Sequence, residues 1–514
     1  MQAAPPLSGS GTQTDPYLIT SKADVLALAK YVNGTDDGTT ATNNQTKAGG
    51  DVCAGLYFAF TADVDMQHDT TFLGIGAVTN FHRTSTTSWK FSGNIDGRGH
   101  KISNLTINGM VFKDDGSIST SSNTTTRGSR QYTGFIGILE KGSVTNLHFD
   151  ASCSVTSYSK VGMVVGRMSQ GSTVSSCSSA GTVRSYSDYA GGIVGDCSAT
   201  SSTTLTVADC QNTGTVYCNY RYAGGITGGL YYGTITNCIN TGRIELHSFH
   251  SSRAEGVQEG GGGIMGYWQA GGVITNCFNG GVVSVSNQYA GGITGRSSSS
   301  SKVQLCGNVA LGYVDCPSMN NRGAVAGNLY SPSIVPENNY YDTSLWGTMA
   351  AGFKEAQGIT GLTTQQLTGG TLPAGLDPTF WQAEQGLYVR PKLQPALTLA
   401  AAQTYILFPE GTSAQEFGTE ASISTQGTIT ATVKNEEGSN VFSISGGKIL
   451  CGDAKKVSSA VVTLVNGSYT LQVPLTKIPV LFSGSGTEAD PYIIATAVDL
   501  QNMASMCNGS TQEH

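Results

Sequence analysis

The chain has 514 residues, 68 of them glycine, with 12 % charged residues, 39 % hydrophobic residues and a formal charge of −7. Glycine is nearly twice its ordinary usage of about 7 %, and the apolar content excludes disorder, which couples few apolar groups to high net charge. An acidic balance without a basic stripe excludes nucleic acid as an expected partner, and no apolar run reaches the roughly eighteen residues of a membrane-spanning helix.

In chain order, the start at Met1 carries no charged-then-apolar leader and reads as a mature or trimmed start. Residues 1–34 predict a short strand and a cap helix opened by Ser21 and Asp24, with Val25, Leu28, Ala29 and Val32 on one face. Residues 35–395 are repetitive. A glycine-framed block recurs as Thr133-Gly-Phe-Ile-Gly-Ile138, Val161-Gly-Met-Val-Val-Gly166, Ala190-Gly-Gly-Ile-Val-Gly195, Ala223-Gly-Gly-Ile-Thr-Gly228, Gly261-Gly-Gly-Ile-Met-Gly266, Ala290-Gly-Gly-Ile-Thr-Gly295 and Arg322-Gly-Ala-Val-Ala-Gly327. Three short β-prone runs per unit of roughly thirty residues predict a right-handed parallel β-helix, a β-solenoid, with three strands per coil.

Two apolar columns follow from the spacing: Ile102, Val144, Val174, Val207, Ile235, Ile274 and Val303, and three positions later Leu105, Leu147, Cys177, Cys210, Cys238, Cys277 and Cys306. Because leucines substitute for them, the column cysteines read as buried reduced thiols rather than a disulfide framework, although a secreted chain could carry either. Cys197, Cys218 and Cys316 have no clear place. Asn212, Asn240, Asn279 and Asn308 predict an asparagine ladder at a turn. Residues 396–480 change to β-prone runs fit for an immunoglobulin-like sandwich. Residues 481–514 repeat the opening, with Ser-Gly-Ser-Gly-Thr-x-x-Asp-Pro-Tyr at both Ser8 to Tyr17 and Ser483 to Tyr492, and read as the start of a truncated second solenoid.

The glycine block followed by Ile-x-Asn-Cys-x-x-x-Gly, together with Ala62-Asp-Val-Asp-Met66 and Phe91-Ser-Gly-Asn-Ile-Asp-Gly-Arg-Gly-His-Lys-Ile-Ser-Asn-Leu105 in the first coil, resembles the GLUG-motif repeat of bacterial surface proteins. The likeness covers about residues 8–390. It implies a solenoid that is secreted or on the cell surface, alone or within a longer multidomain chain, and it does not choose between adhesins, protease ancillary regions and glycan-degrading enzymes.

Chemistry is sought where charge departs from the uncharged body. The coil between Cys238 and Cys277 is stretched by an insertion carrying Arg243, Glu245, His247, His250, Arg253, Glu255 and Glu259, either a solvated loop or a binding loop. Two residues before each block stand Gln131, Ser159, Asp188, Arg221, Glu259, Gln288 and Asn320; Asp188 and Glu259, two rungs apart with Arg221 between them, are either a self-neutralising ladder or the carboxylate pair of a glycoside hydrolase or polysaccharide lyase, with His247, His250 and Glu255 as further candidates. One position before each block run Tyr132, Lys160, Tyr189, Tyr222, Gly260 and Tyr289. With Tyr267, Trp268 and Arg253 they form a candidate sugar platform if they face outward, and a packed tyrosine ladder otherwise. The sequence therefore supports a glycan-binding solenoid directed at a polysaccharide or host glycan, with a carbohydrate-active enzyme and a structural spacer as alternatives. No metal or cofactor is expected; no segment matches the usual nucleotide or zinc patterns.

Overall fold

The computed structural model describes residues 4–33, 53–76, 90–110, 131–247, 259–286, 288–298, 303–316, 321–329, 334–343, 350–352, 356–385 and 387–392, then segments between 406 and 477 and Ile494. His250, Arg253, Glu255, Asn320 and, apart from Ile494, the duplicated opening at 481–514 lie outside the described residues.

The body is a stack of parallel coils with a β-helix-like architecture. Each full coil contributes one strand to each of five parallel sheets, as in Thr173–Ser175, Ser178–Ser179, Thr182–Ser185, Ala190–Gly191 and Val194–Ser198. Taken in that order, sheets one and two hold ten described strands each, sheets three and four hold seven, and sheet five holds six. The expected three strands per coil are thus five. One predicted run is bent at Ser176 and its counterparts Asn146, Asp209, Asn237 and Asn276, which adopt left-handed backbone and divide sheet one from sheet two. The glycine block is also divided, between sheets four and five.

That left-handed corner, rather than the cysteine, sets the register. Val144, Val174, Val207, Ile235 and Ile274 stack as expected, and so do Leu147, Cys177, Cys210, Cys238 and Cys277, whose carbonyls each accept from the next coil. The column then departs from the sequence reading. Gly307 occupies the corner, so Leu305 rather than Val303 follows Ile274, and Cys306 pairs with Thr275 instead of Cys277. Asn308 succeeds Cys277 and accepts from its backbone N–H at 2.8 Å. In the first coil a Gly97-to-Gly99 turn lengthens the corner: Ile95 takes the Val144 column, Ile102 pairs with Phe149, and Leu105 falls opposite Cys153.

All eleven described cysteines are free thiols, and all but Cys306 are buried. Burial pushes the thiols of Cys177, Cys210 and Cys238 well above their ordinary range. Cys197 packs in sheet five between Met168 and Leu230, while Cys218 lies in sheet three between Ser185 and Leu246.

Asn212, Asn240 and Asn279 form a buried ladder, each carboxamide donating to the next at 2.8 Å. Asn308 is not its fourth member, because Ala310 follows Asn279; Asn308 instead donates to Asn339 at 2.8 Å in a second ladder. The first ladder explains the doubled glycine of the block. A Cβ on Gly192, Gly225 or Gly263 would stand 2.5, 2.4 or 2.2 Å from the carboxamide carbon of Asn212, Asn240 or Asn279 in the following coil. Where the column residue is Phe149, the block carries Phe135 and the rings meet at 5.6 Å.

The helix α1 (Lys22–Asn33) buries Val25, Leu28, Ala29 and Val32 in the main core, and Asp24 accepts from the backbone and hydroxyl of Thr20 at its start. At the other end, residues 363–391, containing helix α2 (Thr364–Leu367) and the hairpin Trp381–Glu384 with Leu387–Pro391, fold back over the outside of sheet two. Leu367, Leu376, Phe380 and Trp381 bury Ile239, Phe278, Val309 and Tyr340 there. Residues 406–477 contain a four-stranded and a three-stranded sheet, antiparallel except for the Ile406–Phe408 pairing.

Candidate functional site

The predicted polar column exists. Ser159 pairs with Gln131, and the Tyr222–Gly260–Tyr289 pairings place Arg221, Glu259 and Gln288 on successive rungs beyond Asp188. It runs along the corner between sheets three and four. Side chains at the end of the sheet-three strands hold this corner: within one coil the Ser185 hydroxyl donates to the Asp188 carbonyl at 3.0 Å, and from the following coil the Cys218 and Cys316 thiols donate to the carbonyls of Ser187 and Gln288 at 3.0 and 2.7 Å.

Asp188 and Arg221 form an ion pair at 3.3 Å, with side chains 27 % and 40 % exposed. Burial raises Asp188 above the ordinary carboxylate range, opposed by the charges of Arg221 and Lys160. Glu259 is 2 % exposed and its backbone N–H donates to the Gln288 side chain. The two carboxylates are therefore unlike: one is half-buried beside a cation, the other is within the wall.

At the described start of the insertion, Glu245 accepts from Arg243 and from His247, the latter at 2.9 Å. Burial opposes ionisation of Glu245, but the His247 hydrogen bond and the Arg243 charge outweigh it and lower its pKa to about 2. Arg243 and His247 thus converge on Glu245 outside sheet three.

The tyrosine column faces outward across sheets four and five. Tyr189 and Tyr222 lie 4.9 Å apart between ring centroids, and Tyr222 stacks on Tyr267 at 4.3 Å with the planes 10° apart. The rings are outside the core, yet they cover one another's faces, leaving Tyr222 6 % and Tyr267 9 % exposed. Tyr132, Tyr189 and Tyr289 are half-buried. Burial raises Tyr222 to about 12, so its hydroxyl stays protonated. Trp268 does not belong to this surface. It is fully buried in the Leu230 column of sheet five, because alternation turns it inward when Tyr267 points out.

Of the second half of the surface the sequence reading named only Tyr267. The residue directly after the last glycine of each block forms an outward column in sheet five: Ile138, Arg167, Asp196, Gly229, Tyr267 and Arg296. It interlocks with the tyrosines. Lys160 lies 5.1 and 5.5 Å from the Tyr132 and Tyr189 centroids, and Asp196 faces Lys160 and Arg167 at 3.5 and 3.8 Å. Arg167 donates to the Tyr132 hydroxyl at 3.2 Å. The Tyr189 ring lies over Gly229, where a Cβ would come within 2.5 Å of it. Arg296 covers Tyr267 at 5.0 Å, and the Tyr267 hydroxyl bonds Ser298 at 2.6 Å. The result is a ridge of ring edges, hydroxyls, cations and one carboxylate across several coils. Among the described residues, no group of three His, Cys, Asp or Glu side chains could hold a metal ion, and no helix is long and apolar enough to cross a membrane.

Fold and ridge together define a parallel β-solenoid with a polar, aromatic outer face. No protein-family model and no curated protein matches the sequence. A solved structure from Bacteroides ovatus, provisionally named an immunoglobulin A1 protease, is similar over 75 % of this chain and 95 % of its own, at 18 % identity and a TM-score of 0.44.

Proposed function

We propose that the chain is a secreted or surface-attached bacterial β-solenoid of the GLUG-repeat type that binds carbohydrate along the ridge of sheets four and five. The observation that supports this reading is the interlocked row of Tyr132, Lys160, Arg167, Tyr189, Asp196, Tyr222, Tyr267 and Arg296, with Tyr289 on the last rung of the tyrosine column, a band of hydroxyl, guanidinium and carboxylate groups set on aromatic carbon, as a hydroxyl-rich polymer requires. In the same reading the solenoid is right-handed, α1 caps its first coil, and the two C-terminal sheets form an immunoglobulin-like spacer. Binding to a panel of mucin, plant and bacterial glycans tests it. Replacing Tyr189 and Tyr289, both half-buried, by alanine together is expected to weaken binding about tenfold; a folded double variant that binds as the wild type does would refute the ridge as the site.

A second reading, a glycoside hydrolase or polysaccharide lyase, draws on Asp188, whose raised pKa suits a proton donor. The burial of Glu259 counts against a second accessible carboxylate. Sugar released from the same panel, and lost in Asp188→Asn, would establish the enzyme.

A further inference from the structure

We infer that Arg296, presented on the Tyr222–Tyr267 stack, is a subsite for the carboxylate of an acidic sugar, a uronate or a sialate; this rests on the glycan-binding reading above. The cations of this region differ in their partners. Lys160 and Arg167 face Asp196, Arg221 faces Asp188, and Arg243 faces Glu245. Among the described residues no carboxylate pairs with Arg296, although it stands on the same ridge.

Its side chain is nonetheless held. The guanidinium lies 5.0 Å from the Tyr267 centroid and donates to the Tyr222 hydroxyl at 3.5 Å, two rungs away. This reach depends on Gly260 in the intervening rung of sheet four, where a Cβ would stand 2.8 Å from the Cβ of Arg296. A guanidinium carries five N–H donors in a planar fork matched to a carboxylate, and here one of them meets a protein acceptor among the described residues. Contact with the Tyr267 ring and the Tyr222 hydroxyl restrains the fork in advance, which lowers the ordering cost of binding. The exposed Ser298, bonded through its hydroxyl to Tyr267, stands beside it for the sugar hydroxyls.

The test is calorimetric titration of the full chain with trigalacturonate and with sialyllactose, each against its neutral counterpart, carboxyl-reduced trigalacturonate and lactose. At least one acid is expected to bind about tenfold tighter than its counterpart or better, as a charge-assisted bidentate contact implies. The two acids distinguish a uronate from a sialate subsite. Arg296→Gln is expected to remove the preference for the acid, and Arg296→Lys, which keeps the charge but not the fork, to restore part of it. Equal binding of acid and neutral sugars by the wild type overturns the carboxylate subsite while leaving the glycan reading standing. Binding of no saccharide at all overturns both. Poly-L-glutamate bound as tightly as trigalacturonate overturns the sugar in favour of an acidic peptide. The wild-type comparison is decisive even if Arg296→Gln does not fold.

Discussion

Sheet two has two different outer faces on one continuous strand register. On its earlier coils the outward residues are His148, Ser178 and Gln211, all half-buried and polar; on the later ones they are Ile239, Phe278, Val309 and Tyr340, all buried. Inward residues are constrained in every coil by the neighbours above and below. Outward ones are not, so a change in their polarity marks where another segment docks. Here that segment is 363–391, which brings Trp381 to 6.1 Å from the Phe278 ring and ties Tyr340 to the Ala374 carbonyl at 2.5 Å.

Trp381→Ala should test the contrast most severely. Loss of this fully buried ring is expected to cost about 3–5 kcal/mol, and the loss of amide protection should appear at Phe278 and Val309 while Phe149 stays protected in hydrogen exchange. Equal loss in both halves would mean that the covered face has no separate identity. Asn240→Ala, at the strand where the covered face begins, removes the middle of the ladder and is expected to cost about 1–3 kcal/mol in denaturant unfolding, because Asn212 loses an acceptor and Asn279 a donor. A cost near zero would show that the ladder bonds are replaced by water. Gln211→Ile, one coil before, extends the apolar column beyond the covering segment and should change stability by no more than about 0.5 kcal/mol. Stabilisation well above that would show that the cover reaches further than Ile239.

Much of this organisation was legible in the chain. The seven glycine blocks predicted parallel stacking, and counting back from them placed Asp188, Arg221, Glu259 and the tyrosines on their observed rungs. Counting forward from them would equally have found Arg167, Asp196 and Arg296, had the residue after the last glycine been read as a column. Counting from the cysteines failed at Cys306, because the left-handed corner fixes the register and Gly307 fills it as well as asparagine does. Trp268 was misplaced for a local reason: of two neighbouring aromatic residues on a strand only one can face outward. The covering segment left a trace in Ile239, Phe278 and Val309, but nothing in the repeat says which distant stretch will bury them.

The fit between the second glycine of one block and the asparagine of the coil after it has a consequence for how such a chain can change its length. The unit that can be duplicated or deleted is bounded by a matched pair across two coils, not by a single repeat. Removing the coil that contains Asn212 and Gly225 would set Gly192 against Asn240, a pair like the one it replaces. Removing the coil before it would bring Met163, which stands in register with Gly192, against Asn212, and the carboxamide would have no room. Growth and loss of coils are thus confined to the stretch where the pair recurs, and the ends of the solenoid, built on other pairings, are fixed.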